Sequence, residues 1–367
     1  MKIAIITQPL KYNYGGILQN YALQQTLRDM GHEVETLEFL PGINSFKGRV
    51  VAFLKRLFFV LVDDEGRFLH VWKGLSSEQQ LSQNTRCFIR KHISLKQRLN
   101  IPGPYDYDAY VVGSDQVWRP MYSNLDVAFL KFTEGWKNVK RIAYAASFGT
   151  DTWEYSKGQT LKYSRLVKGF DGISVRELSG VKLCNDYLNV NAYHVLDPTL
   201  LHDKYFYVST LEIDKQKHSD GELFYYLLDY TTEKEQLIRY VSSETQYRPF
   251  TVNSRVEDKT APINERIQPP IEKWVRSFMD AKIVITDSFH GMVFSLIFNI
   301  PFVVFYNPQR GNSRFLSLLS IINQEHRLIN SEHIDMKDVR KCFNEPNVDF
   351  SQYREQSYQF LTNYLSA

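Results

Sequence analysis

A chain of 367 residues with 43% hydrophobic content has the length of two ordinary domains and the composition of a globular protein. Its formal charge of +3 is too small to indicate wholesale binding of nucleic acid. Three widely separated cysteines, Cys87, Cys184 and Cys342, give neither a disulfide framework nor a metal-ligand spacing, so a reducing cytoplasm is the expectation.

The apolar run after Met1-Lys2 is only Ile3 to Ile6, too short for the core of a signal peptide, and no stretch has the length of a transmembrane helix. Lys2 to Thr7 reads as an opening strand. Helical periodicity then runs from Ile17 to Met30 through Leu18, Tyr21, Ala22, Leu23 and Leu27. Gly31 ends it, and His32 to Phe39 completes a βαβ opening. Between strand and helix lies Asn13-Tyr14-Gly15-Gly16. The paired glycines let backbone approach a ligand at the helix start, or simply make a tight turn, but they do not form the GxGxxG dinucleotide fingerprint. Phe46 to Val62 is very apolar yet interrupted by Lys47, Arg49, Lys55 and Arg56. It reads either as a core helix with snorkelling basic residues or as a helix lying on an anionic membrane surface. Residues 63–100 are polar and read as helical.

Tyr107 to Val112 predicts a strand running into Gly113-Ser114-Asp115-Gln116. Arg141 to Ser147 is the next strand and Trp153 to Val167 a helix. Asp171 to Val175 is a short strand ending at Arg176-Glu177, with a helix following through Cys184. Tyr193 to Leu196 is a strand ending at Asp197-Pro198-Thr199. Polar groups thus recur at one sheet edge: Asn13, Asp115, Ser147, Arg176 and Asp197. For Arg176 an ordinary surface salt bridge is the alternative to a binding role. From Leu201 to about Glu222 the chain turns polar, which predicts a first domain over 1–205 and a second over 206–330. Helices in 331–367 are then expected to fold back on the first.

In the second half, Leu223 to Leu228 and Phe250 to Asn253 read as strands, Glu233 to Ser243 and Ile271 to Met279 as helices. Ile283 to Tyr306 is one strand–turn–helix–strand unit. Ile283 to Ile285 suits a buried parallel strand, Thr286, Asp287 and Ser288 supply capping oxygens, and Met292 to Phe298 is apolar on nearly every side. Asn299 and Pro301 stop that helix, and Phe302 to Phe305 is the next strand. A basic loop, Arg310 to Arg314, precedes a helix from Phe315 to Ile322 capped by Asn312 or Ser313. Helices over His333 to Phe343 and Ser351 to Leu365 close the chain. The fold class is α/β, two Rossmann-like domains facing across a cleft.

His290 falls in the first turn after a strand's carboxyl end, where open α/β sheets bind ligands and a helix N-terminus favours an anion. Arg310 and Arg314 reach the same edge. His290 is the one obvious group there for moving protons near neutral pH; a structural histidine beneath a loop is the alternative. No metal spacing appears, so no obligatory metal is expected, and no GxSxG nucleophile motif is present; no cofactor is expected.

Taken in order, Asn13-Tyr14-Gly15-Gly16 with Gln19-Asn20, Val112 to Trp118, Ser174-Val175-Arg176-Glu177, Leu196-Asp197-Pro198-Thr199 and Thr286 to Gly291 resemble the polysaccharide pyruvyl transferase family. The resemblance covers roughly Ile3 to Leu319. It implies a GT-B-like fold and transfer of the enolpyruvyl unit of phosphoenolpyruvate to a sugar, leaving a pyruvate ketal across two hydroxyls. It implies that His290 is the catalytic histidine, as acid or as base. Arg176 would bind the donor, with Ser288, Arg310 and Arg314 beside it. Some members carry a basic residue where Ser288 stands, so other residues must hold the donor's anionic groups here. The acceptor side would be the first domain, through Asn13, Gly15, Gly16, Gln19, Asp115 and Gln116. The acceptor expected is a sugar of a cell-surface polysaccharide precursor. If that precursor is lipid-linked, Phe46 to Val62 would explain how a cytoplasmic protein reaches it at the inner face of the membrane. Two other readings stay open: a GT-B glycosyltransferase using a nucleotide sugar, and a non-catalytic glycan-binding protein on the same fold.

Overall fold

The alternation of apolar residues in the opening strand is split between two cores. Ile3 and Ile5 face one, Ala4 and Ile6 the other, so the strand is covered on both sides, as a parallel sheet requires. The computed structural model describes residues 1–39, 79–98, 103–104, 106–256, 258–306, 311–330 and 334–366. Phe46 to Val62, Arg310 and His333 lie outside these residues.

The first sheet contains β1 (Lys2–Ile6), β2 (Glu33–Phe39), β3 (Leu95–Arg98), β4 (Ala109–Val112), β5 (Lys140–Ala146), β6 (Gly172–Val175) and β7 (Tyr193–His194). Its order is β3-β2-β1-β4-β5-β6-β7, parallel throughout. The chain winds outward in both directions from the β1/β4 pair, which places the topological switch point between those strands. The second sheet contains β8 (Leu223–Tyr226), β9 (Pro249–Phe250), β10 (Ile283–Thr286), β11 (Phe302–Phe305) and β12 (Leu328–Ile329). Its order is β12-β11-β10-β8-β9, again parallel, with the switch point between β8 and β10.

One hydrophobic core joins the two sheets. It runs from Ile3, Ile5, Leu18 and Tyr21 through Tyr14 to Trp274, Tyr226, Val284 and Met292. Tyr14 is the centre of the junction: its ring lies 5.6 Å from that of Trp274 and 6.3 Å from that of Tyr226, and its hydroxyl donates to Pro269 O at 2.7 Å. Aromatic contacts of this kind add roughly 0.5–1.5 kcal/mol each beyond burial. The carboxyl ends of β1, β4, β6 and β7 are thereby held against the carboxyl end of β10.

Helix Ser351–Leu365 packs on the first sheet. Ser357 Oγ accepts from Leu196 N–H at 3.0 Å, and Arg354 Nε donates to Leu200 O at 2.7 Å. Gly172 leaves room for it, since a Cβ there would stand 2.6 Å from the Tyr364 ring.

Two strands depart from expectation. Leu95–Arg98 is a strand, not helix, pairing with β2 at the edge of the sheet, where a polar sequence is tolerated. Leu328–Ile329 is a two-residue strand on the edge of the second sheet. The first helix, α1, spans Tyr14–Asp29, so Gly15 and Gly16 lie inside its first turn. Gly31, at φ 87°, follows it.

Candidate functional site

Helix α1 begins at the carboxyl end of β1 with Asn13 as its N-cap. The Asn13 side chain makes no capping bond, so the first-turn N–H groups face the neighbouring loops. Gly15 must be glycine: a Cβ on it would overlap Nδ1 of the His290 ring. A Cβ on Gly16 would come within 3.3 Å of Asp115 Oδ2.

The opposite wall is helix Phe289–Ile297, buried at every position, which follows β10. Ser288 is its N-cap, its Oγ accepting from Gly291 N–H at 3.3 Å. Asp287 ties β10 to β8 instead of capping. Its carboxylate accepts from Leu228 N–H at 2.7 Å, Asp229 N–H at 3.0 Å and the buried Lys234 Nζ at 2.7 Å. His290, the second residue of this helix, is therefore held at the meeting of two helix N-termini, where the dipoles favour negative charge.

Loops after β4, β6 and β7 supply a charged chain beside it. Arg176 is fully buried and bridges two carboxylates: Nη1 donates to Asp197 Oδ2 at 2.7 Å, and Nη2 to Asp115 Oδ1 at 3.0 Å. Burial would lower the Arg176 pKa, but Asp115 and Asp197 hold the guanidinium charged. Burial would likewise raise Asp197, yet His290 and Arg176 hold its carboxyl well below the usual range. Asp115 is depressed against burial chiefly by Arg176 and then by His290. The surface salt bridge weighed for Arg176 is thus replaced by an internal one. Asp197 Oδ2 stands 3.7 Å from His290 Nε2, within ion-pair range and outside hydrogen-bonding distance.

Arg314 enters from helix Ser313–Ile321, which docks through Ser317 Oγ on Leu178 N–H at 2.9 Å. Both guanidiniums lie over the Phe289 ring, Arg176 at 5.0 Å and Arg314 at 5.4 Å from its centroid. Burial, with Arg176 adjacent, pushes the Arg314 pKa down to about 10. Glu177 is raised by burial beyond what Arg176 and Arg314 offset; its Oε1 accepts from Phe148 N–H at 2.7 Å and Gly149 N–H at 3.3 Å.

Buried polar atoms ordinarily have partners, so orphans mark where a ligand completes the bonding. Asp115 Oδ2, Arg176 Nε, Glu177 Oε2 and Ser313 Oγ have no hydrogen-bond partner, and all belong to this neighbourhood; His290 Nε2 also has none, but it faces Asp197. Among the described residues, no group of three or more His, Cys, Asp or Glu is arranged to hold a metal ion.

Of the residues singled out in the sequence, Asn13, Gly15, Gly16, Asp115, Arg176, His290 and Arg314 converge here. Gln19 does not present itself to a ligand. Its Nε2 donates to Thr7 Oγ1 and Gly16 O, its Oε1 accepts from Ser114 N–H, and it is wholly buried between α1 and β4. Ser288 is occupied as a cap. Gln116 Oε1 accepts from Arg119 Nη1 at 3.3 Å. Arg176 has Nε without a partner, while each of its terminal nitrogens already donates one bond to a carboxylate. Glu177 and Phe289 carried no signal by themselves, and Asp197 was marked by its place after a strand and by its motif, without a role.

A family model described as polysaccharide pyruvyl transferase matches residues 13–309. None of the curated proteins matches the sequence. Among solved structures, UDP-GlcNAc 2-epimerase from Neisseria meningitidis bound to UDP-GlcNAc is similar at TM-score 0.51 and 8% identity, over 100% of this chain and 99% of its own. Arabidopsis thaliana UGT89C1 complexed with UDP-L-rhamnose aligns over 98% of this chain and 97% of its own, at TM-score 0.48 and 11% identity. At these identities the likeness to the epimerase shows a fold, the GT-B-like pair of Rossmann-like domains facing across a cleft, and no more.

Proposed function

The chain belongs to the polysaccharide pyruvyl transferase family, and we propose that it moves the enolpyruvyl unit of phosphoenolpyruvate onto two hydroxyls of a sugar in a cell-surface polysaccharide precursor. The observation that carries this reading is the position of His290. It sits between two helix N-termini, with the buried guanidiniums of Arg176 and Arg314 stacked over the neighbouring Phe289. Such a place suits a small dianion or trianion that also needs a proton carrier.

The reaction asks for both. One sugar hydroxyl adds to C2 of the donor while C3 takes a proton and becomes methyl. The C2–O bond to phosphate then breaks, and the second hydroxyl closes the ketal. Of the two hydroxyl protons lost, one ends on C3 and one on the departing phosphate. His290 is assigned the proton transfer. Arg314 and the first-turn N–H groups of α1 are assigned the charge on the phosphate and carboxylate, a preorganised effect on the order of several kcal/mol. Arg176 fixes Asp115 and Asp197, and its unpartnered Nε is assigned to the donor.

No cofactor or metal enters this scheme. Among the described residues no helix is long and apolar enough to cross a membrane. Access to a lipid-linked acceptor is proposed to come from Phe46 to Val62, whose basic and apolar residues suit a cytoplasmic, anionic membrane face. Flotation with anionic vesicles tests that part: binding that survives deletion of 46–62 in a folded protein removes it.

Mass spectrometry of precursor glycans incubated with the protein and phosphoenolpyruvate tests the reaction itself. Addition of one pyruvate ketal with release of inorganic phosphate is expected. The second reading, a nucleotide-sugar glycosyltransferase, draws on the similar fold of an epimerase bound to UDP-GlcNAc. It expects a glycosyl mass increment and no dependence on phosphoenolpyruvate.

A further inference from the structure

The two ring nitrogens of His290 face different surroundings. Nδ1 lies against Gly15 in the first turn of α1. Nε2 is buried, has no hydrogen-bond partner, and stands 3.7 Å from Asp197 Oδ2. Asp197 is itself immobilised. Its Oδ1 accepts from Thr199 N–H at 3.1 Å and Thr199 Oγ1 at 2.7 Å; its Oδ2 accepts from Arg176 Nη1 at 2.7 Å and Ser114 Oγ at 3.3 Å. These partners all belong to loops at the edge of the first sheet, whereas His290 belongs to the second.

We propose that Asp197 is the positioning residue of His290: it keeps the proton on Nε2 and leaves Nδ1 as the atom that exchanges a proton with the substrate. A carboxylate opposite one ring nitrogen stabilises the tautomer, or the imidazolium, whose N–H points at it. At 3.7 Å the pair is within ion-pair range. In the forward step the Nδ1–H bond breaks and its electron pair stays on the ring. The proton bonds to C3 with the π pair of the enol, and C2 is left for the sugar hydroxyl, whose proton restores Nδ1. Nε2–H stays with Asp197 throughout. The two halves of the molecule thus each supply one partner of the acid–base pair.

This inference rests on reading His290 as the proton carrier, and its test needs no substrate. Side-chain ¹⁵N NMR of the full chain, with His290 assigned by its loss in His290→Gln, reads the tautomer directly. In its neutral form the wild-type His290 is expected to carry its proton on Nε2. Asp197→Asn is expected to weaken that preference. Thr199→Val, which removes one bond to the carboxylate, is expected to weaken it less, and it serves where Asp197→Asn does not fold. A wild-type His290 protonated on Nδ1, or a folded variant with an unchanged tautomer, overturns the proposal. Failure of the phosphoenolpyruvate reading shows separately, as no stabilisation by that donor in a wild type whose Nε2–H tautomer is intact.

Discussion

Arg176 holds the charges of the site in balance, which makes it a poor probe of ligand binding. Removing it takes the buried ion-pair partner from both Asp115 and Asp197, a loss of about 3–5 kcal/mol in stability. Gly15 is a sharper probe. A Cβ there overlaps the His290 ring, so Gly15→Ala is expected to displace the imidazole and cut turnover about 100-fold, the cost of misplacing a reacting group by roughly 1 Å. Turnover within a few-fold of wild type, in a folded variant, would place the proton transfer elsewhere. Glu177 gives a prediction in pH. Unfolded glutamates ionise near about 4.3. Burial raises Glu177 above that value, so its favourable contribution is complete in acid and is lost as pH rises through the raised value. Glu177→Gln removes this dependence. From acid to neutral pH the wild type is expected to lose stability relative to the variant in urea titrations; parallel stability–pH curves would contradict the assignment.

At the scale of elements, the turn after β10 carries the site, and Asp287 fixes it. Lys234, from helix Thr232–Thr245, neutralises that carboxylate at 2.7 Å while also donating to Asp229 O. Lys234→Met is expected to destabilise the protein by about 3–5 kcal/mol by stranding Asp287, seen as a drop in denaturation midpoint. A loss below roughly 1 kcal/mol would mean that the three backbone and side-chain donors are not acting together. Much of this architecture was legible in the sequence. Runs such as Ile283 to Ile285 and Phe302 to Phe305 are apolar and β-branched or aromatic because both faces of a parallel strand are buried, and the polar residues that follow them mark the ligand edge. Leu95–Arg98 was not legible, because an edge strand with one solvated face has the polarity of a surface helix. Gln19 misled for a related reason: a glutamine bound to Thr7, Gly16 and Ser114 looks, in sequence, like one reserved for a sugar. The Asp197–His290 approach was out of reach, since its partners come from different sheets, 93 positions apart by their numbers, and no local pattern encodes the pairing.

For the molecule as a whole, the shared core around Tyr14, Tyr226 and Trp274 locks two Rossmann-like halves so that their ligand edges meet at His290. The proposed anion site belongs to neither half alone. Thermal unfolding of the full chain with phosphoenolpyruvate, and in parallel with a uridine or guanosine diphosphate, tests this most directly, on the wild type and on Arg314→Gln. A donor that binds the native state at 100 times its Kd adds about 2.7 kcal/mol. The expected result is a raised midpoint with phosphoenolpyruvate in the wild type and a smaller rise in Arg314→Gln. No rise with phosphoenolpyruvate, beside a clear one with a nucleoside diphosphate, would contradict the ketal mechanism and place the protein with enzymes that use nucleotide sugars.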